Sequence, residues 1–367
     1  MHTMSDNQLD RLPLADIRAR AAGADRSDGS LAPDVAALHK AGWLAACLPR
    51  QFGGAGWGCE PAGTLPAFDA LRCLGRANLS LARLFEGHMN AIKLVQLHGC
   101  DAQKADIAEA AAKSMLLGVW GADVPDAPLQ RSDGSGPVTL QGAKQFASGL
   151  ELVQRAVITV RTNAGTELWL APVDDAARAD KATWTMGGMR ATQSGRYDFT
   201  GVTLERACSL GEPDDYYIEP YFEGGIWRYC AAHLGAAESI YEAMRDALIA
   251  QGRAGDPHQQ RRIAECAIAL ETMRLWVRRA AGEVEAEGAP GDKAVLSLLA
   301  REITEENCLL VMDRAERALG TAAYDERSLV ERTCRDLRLF LRQAAPDAKR
   351  ARAAARLVES QALVEQL

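Results

Sequence analysis

The hydrophobic period of this chain changes twice along its length, and that double change restricts the fold more than any other feature. Through residue 118, apolar side chains recur at three- and four-residue spacing in 31–41, 62–75, 78–98 and 101–114, which predicts helices with one buried face. From about Val119 to Cys208 the texture breaks into short β-branched and aromatic runs, 156–160, 167–173 and 196–204, separated by Gly, Asp and Pro. After Pro213 long helical periods return, roughly over 219–251, 257–287, 291–320, 326–344 and 347–365, interrupted at Gly255-Asp256-Pro257 and Gly288-Ala289-Pro290.

The expectation is an α+β chain, mostly α. It comprises an N-terminal helical domain (1–118), a central antiparallel β-domain (119–212) and a C-terminal helical domain resembling a four-helix bundle (213–367). No G-x-G-x-x-G turn follows a strand, which argues against a nucleotide-binding βαβ repeat. A length of 367 residues exceeds what one core usually serves.

The net charge of −7 is dispersed rather than blocked, which argues for solubility and against a nucleic-acid surface. No apolar run is long enough for a membrane span, and the N-terminus, with Asp6, Asp10, Arg11 and Asp16, lacks a signal-peptide core, so a cytoplasmic protein without a membrane partner is expected. Nine cysteines, with no C-x-x-C pair, are expected to be reduced thiols and no metal site is expected. One segment is basic: Arg335, Arg338, Arg342, Lys349, Arg350, Arg352 and Arg356 form either a solvated helix face or a surface for a phosphate or an acidic neighbouring subunit.

Several ordered stretches resemble the acyl-CoA dehydrogenase superfamily. Gly42-Trp43-Leu44, Leu48-Pro49 and 52–56 (FGGAG) are similar to its early glycine-rich turn, and 74–77 (LGRA) to a helix entry. In the β region, 142–149 (GAKQFASG) and 186–195 (MGGMRATQSG) resemble two of its loops, and Val330-Glu331-Arg332 with Arg335-Asp336 resembles the helix before its active-site loop. The resemblance implies a flavin between the β-domain and the C-terminal bundle, in a homodimer or homotetramer whose neighbouring subunit completes the site. FAD is the implied cofactor, either weakly held or replaced by diffusible reduced flavin, and the implied substrate is a small molecule or a carrier-linked acyl group.

Residue by residue, the resemblance assigns Phe146 and Ser148 to the flavin ring, and Trp120, Ala122 and Asp123 to the strand end where the family carries a threonine. It assigns Arg253 to a partner subunit's cofactor diphosphate and Gly320 to the adenine end, although Gly320 also suits a helix C-cap. Removing the α-proton of an acyl thioester needs a carboxylate base. Both places where the family carries it are empty here, being Ala344 and Gly225, which leaves nearby Glu223 as the substitute, with Glu219 close by.

On the predicted helix 78–98, Arg83, Glu86, Asn90 and Lys93 form one polar stripe, while His88 projects with Leu81, Leu84, Phe85, Ile92 and Val95. His88 is therefore either a satisfied core residue or a proton donor at the cofactor pocket, as in oxygen-using members of this fold. Three functions follow: a flavin-dependent oxidoreductase acting on an acyl thioester, a monooxygenase using reduced flavin and oxygen, and a degenerate non-catalytic assembly protein.

Overall fold

The computed structural model describes residues 12–26, 29–343 and 345–360. The N-terminal part holds six helices, α1 (Leu14–Ala24), α2 (Ala32–Lys40), α3 (Trp43–Ala46), α4 (Thr64–Ala77), α5 (Leu79–His98) and α6 (Asp101–Ala112). The periodic segments 31–41, 62–75, 78–98 and 101–114 become α2, α4, α5 and α6. Asn78 starts α5 by accepting Leu81 N–H on its side chain, which explains the sharp break after α4.

The middle is built from ten short strands. β1 (Leu116–Trp120), β5 (Val153–Thr162), β6 (Gly165–Pro172) and β10 (Ser209–Leu210) form a four-stranded sheet in the order β1-β5-β6-β10. Two three-stranded sheets complete it. One joins β2 (Gln130–Arg131), β3 (Val138–Gln141) and β9 (Thr203–Leu204); the other joins β4 (Ala143–Lys144), β8 (Arg196–Asp198) and β7 (Ala179–Asp180). Pairing is antiparallel except for β1 with β5, which is parallel in the register Val119 to Val157.

The C-terminal part holds α7 (Trp227–Ala250), α8 (Pro257–Val284), α9 (Ala294–Leu319), α10 (Leu329–Phe340) and α11 (Pro346–Ser360). A helix is expected from residue 219, but α7 starts eight residues later. Glu219 Oε2 accepts Glu223 N and Gly224 N at 3.0 and 3.4 Å, and so winds 219–226 into a turn.

The two helical parts pack directly on each other. A Cβ on Gly75 of α4 would lie 2.1 Å from Ala232 O, and one on Gly235 of α7 would lie 1.9 Å from Arg72 O. Only glycine allows this backbone approach. Ion pairs Arg72–Glu238 and Arg76–Glu242 flank the crossing.

The basic C-terminal segment is not an open patch. Arg335 pairs with Asp25, Arg338 with Glu316, Arg342 with Glu305, Arg350 with Glu302, and Arg352 and Arg356 with Glu223. These carboxylates lie far away in sequence, so the charges cancel within the chain rather than facing an outside phosphate. No described helix is long and apolar enough to cross a membrane.

Candidate functional site

The turn 142–149 and the loop 186–195 meet at the open end of the β region. Ser194 Oγ donates to Ser148 Oγ at 3.1 Å and accepts from Thr192 Oγ1 at 2.7 Å. This chain of hydroxyls leaves the Ser148 proton free for an acceptor in front of the turn. Trp120 supports the turn from below: it is buried, and its Nε1 donates to Ser148 O at 3.1 Å. Trp120 therefore positions the turn.

Phe146 adopts a left-handed conformation (φ 53°) and is 49% exposed, with its ring edge-on to Trp184 at 6.1 Å. A large aromatic side chain in a strained turn and facing outward is costly unless something flat covers it. Such a pair of aromatic walls beside a free hydroxyl suits a flavin ring.

The strand end after β1 is locked from behind. Buried Lys144 donates to Asp123 Oδ1 at 2.6 Å, to Thr159 Oγ1 at 3.0 Å and to Gly121 O at 3.3 Å, while Gln145 N donates to Ala122 O at 2.9 Å. Burial lowers the Lys144 ammonium pKa, opposed by the Asp123 charge. The Asp123 carboxylate is thus engaged with Lys144 and does not replace the family's cofactor-facing hydroxyl. Ala122 contributes backbone only.

The loop is fixed by α10 and α1. Asp336 accepts Met189 N at 2.6 Å, Arg335 donates to Gly187 O at 2.6 Å, and Asp25 joins Arg335 to Arg190. The Arg335-Asp336 pair therefore holds the 186–195 loop in register with Ser148.

Across the cleft, α5 runs with Leu84 against Gly149 and with Ser80 Oγ at 3.9 Å from Met189 Sδ. Its polar stripe is half-buried to buried: Arg83 Nη1 donates to Glu86 Oε2 at 2.5 Å, and Asn90 donates to Glu86 Oε1. Tyr216, absent from the sequence-based site, bridges the two sides. Its hydroxyl comes within 3.9 Å of a Cβ on Gly121, and burial, with Tyr217 and Glu86, pushes its phenol up to about 12. A Tyr-Tyr doublet in a Pro- and acid-rich connection is the only signal that could have marked it.

His88 is not in this cleft. It is fully buried, with Nδ1 accepting Leu117 N at 3.1 Å and Nε2 donating to Leu44 O at 3.0 Å, so it ties α3 to β1. Both nitrogens are satisfied by backbone, and burial pushes the imidazole down to about 4. The proton-donor role for His88 is corrected to a structural one. His88→Ala is expected to cost about 2–4 kcal/mol through a cavity and two orphaned backbone groups, read as a lower Tm, with activity per folded molecule retained.

Glu223 is corrected in the same way. It is 3% exposed and clamped by Arg352 and by Arg356, the latter at 2.8 Å, both on α11. Glu219 meets Arg356 at 3.1 Å. At the second base position, a Cβ on Gly225 would lie 2.8 Å from Arg228 Nη1, so a cation sits where the family places a carboxylate. Ala344, the first such position, lies outside the described residues.

Arg253 and Gly320 lie at the far end of the bundle. α7 spans 24 residues from the site, about 36 Å, before Arg253, which is exposed and donates to Gln251 Oε1 at 3.1 Å. Gly320 is the exposed C-cap of α9 with φ 63°. Neither residue shares the cleft of its own chain.

Helical N- and C-terminal parts enclosing small, mostly antiparallel sheets form a fold of the acyl-CoA dehydrogenase type. The descriptions "Acyl-CoA dehydrogenase, N-terminal domain" and "Acyl-CoA dehydrogenase, C-terminal domain" match residues 8–114 and 220–342. The chain belongs to the acyl-CoA dehydrogenase superfamily, whose members are flavin-dependent oxidoreductases. It is 27% identical over 307 residues to a dibenzothiophene monooxygenase of Rhodococcus erythropolis, spanning 75% of this chain and 72% of that protein. FMN-bound TdsC from Paenibacillus sp. A11-2 superposes with a TM-score of 0.83 at 21% identity, over 98% of this chain and 99% of that one. Butyryl-CoA dehydrogenase from Megasphaera elsdenii gives 0.83 at 18% identity, over 98% and 100%.

Proposed function

We propose that this protein is a monooxygenase that uses reduced flavin and oxygen, with diffusible FMN in place of the tightly held FAD of a dehydrogenase. The observation that carries this reading is the replacement of the carboxylate base. Gly225 faces the Arg228 guanidinium and Glu223 is held by two arginines, so neither position offers a free carboxylate to take an α-proton. The dibenzothiophene monooxygenase and the FMN-bound relative support the same reading, and dehydrogenation of an acyl thioester is the less well supported alternative.

Bound reduced flavin would supply the two electrons that dioxygen activation requires. Phe146 and Trp184 would provide apolar walls for its ring, and the Ser148 hydroxyl would donate to it, aimed by Ser194 and Thr192. Tyr216, with its phenol pushed up to about 12, keeps its proton at neutral pH and acts as a donor on the opposite side. Arg253 at the remote end would serve the flavin phosphate of a neighbouring copy, which requires a homo-oligomer.

The test is anaerobic titration with reduced FMN followed by rapid mixing with air-saturated buffer. Saturable binding and flavin oxidation that differs in rate from free flavin are expected, both weakened in Ser148→Ala. Absence of any reduced-FMN binding sinks the reading.

A further inference from the structure

The polar stripe of α5 and the side chains packed on it hold more positive charge than their carboxylates balance. Glu86 has both oxygens occupied, one by Arg83 Nη1 and one by Asn90. Arg83 Nε and Nη2 have no partner among the described residues, and neither is sealed away from open space. Further along α5, Lys93 and Arg228 share Glu285 at 2.9 and 2.6 Å. Burial raises the Glu285 carboxyl, and the Arg228 and Lys93 charges more than reverse this, so it stays ionised. Together with Arg228 of α7 and Glu285 after α8, the stripe sets three cations against two carboxylates.

Arg228 is only 2% exposed, yet it is incompletely bonded. Its Nη2 serves Glu285 and Gly58 O, its Nε is buried without a partner, and its Nη1 opens beside Gly225, where no side chain intervenes. A buried guanidinium with free donors is expensive unless an acceptor reaches it. Glu86, gripping Arg83 from one side, leaves the remaining edge as a fixed fork, the geometry that receives an oxyanion through two parallel bonds.

The neighbouring wall is aromatic, with its rings packed edge to face. Tyr216, Tyr217 and Phe222 stand with ring centroids 5.0–5.3 Å apart, and Tyr217 and Phe222 are 43% and 37% exposed. A ligand that satisfies both features has an apolar body and an anionic head.

We propose that the substrate is an organic oxyanion, a carboxylate, sulfinate or sulfonate on an apolar body. Its charged group sits on Arg83, with the open edge of Arg228 as the second cation, and its body lies against the Tyr216–Phe222 rings. An amine would have to break the Arg83–Glu86 pair to find a counter-charge, and a neutral ligand would leave the excess cation unanswered. The assignment rests on the monooxygenase reading for what happens to the substrate, but not for how it binds.

The test is calorimetric titration of the full chain with naphthalene-2-carboxylate and naphthalene-2-sulfonate, against the neutral carboxamide and sulfonamide of the same ring. Each anion is expected to bind at least about tenfold tighter than its amide, a charge-assisted bidentate contact against a neutral one. Arg83→Gln should erase that preference, and Arg83→Lys should keep part of it. Because Arg83→Gln strands Glu86, the double variant Arg83→Gln/Glu86→Gln serves as the charge-balanced control and should also show none. Equal binding of acid and amide by the unmodified protein, binding of none of the four, or a preference that survives in the double variant overturns the proposal. Reduced-FMN binding is measured on the same samples. Its absence with the anion preference intact removes the monooxygenase reading alone, whereas its presence with no anion preference removes this one alone.

Discussion

Anaerobic mixing of the flavin-loaded protein with a straight-chain acyl-CoA is expected to leave the flavin's visible absorption unbleached, or to bleach it at least about a hundredfold more slowly than a carboxylate-equipped relative, since a positioned base contributes about 10²–10⁴ in rate. Ala344 stands at one base position in the sequence, and Arg228 Nη1 occupies the space in front of the other, at Gly225. Glu223, the carboxylate nearest in sequence to that position, is bound by Arg352 and Arg356. Glu223→Gln is therefore expected to lower stability by about 1–3 kcal/mol, a buried-pair loss discounted because both arginines are partly exposed, and to loosen α11 without changing any redox step. Rapid bleaching by the unmodified protein that disappears in Glu223→Gln would restore Glu223 as a base and defeat this reading.

The reason Glu223 reads as a base in the sequence and as an anchor in the structure is distance along the chain. Arg352 is 129 residues away, and no local pattern announces the pair. The same limit governs the basic segment, where Arg335 reaches back 310 residues to Asp25. Long-range charge pairing is settled by tertiary packing, which periodicity does not encode.

Local chemistry was more legible. The period of 78–98 placed Arg83, Glu86, Asn90 and Lys93 on one stripe and His88 on the opposite, core-facing side, and α5 keeps both assignments because a helix fixes which side chains share a face. Phe146 and Ser148 lie on a turn that closes because Gly142 (φ 108°) and Gly149 (φ 79°) take up positive φ without strain. What the turn faces was not legible. Ser194, 46 residues away, aims the Ser148 hydroxyl, and Tyr216 closes the cleft from an irregular connection without any period. Strand β1 was missed because Leu116–Trp120 continues the apolar texture of the preceding helix, and its parallel pairing with β5 joins segments that are not neighbours in sequence.

Acidification is expected to destabilise the protein through two buried imidazoles. Burial pushes His88 down to about 4, with the Leu44 carbonyl opposing, and burial and then the Arg301 charge push His233 down to about 3. Among the described residues His233 Nε2 has no partner, and its ring packs edge-on against Phe340 at 4.4 Å, so none of them supplies an acceptor for a charge there. In the unfolded chain both titrate near 6.5. As pH falls below that value the unfolded state takes up protons that the folded state refuses, so the stability is complete above about pH 6.5 and is lost on the way down to about pH 4 for His88 and about pH 3 for His233. Between pH 7 and 5 the two groups together account for roughly 4 kcal/mol. Asp336 acts in the opposite direction: burial raises its carboxyl to about 6, so the folded state gains protons first and recovers roughly 1–2 kcal/mol over the same interval. The net loss of roughly 2–3 kcal/mol is a large part of the total for a marginally stable fold, and should appear as a Tm that drops markedly from pH 7 to 5. Replacing either histidine, as in His88→Gln or His233→Phe, should remove most of that drop, roughly 2 kcal/mol of it, while lowering the Tm at pH 7. A Tm that stays level across this range, or a slope unaltered in both variants, would show that the imidazoles are protonated inside the fold and that the acid sensitivity has another source.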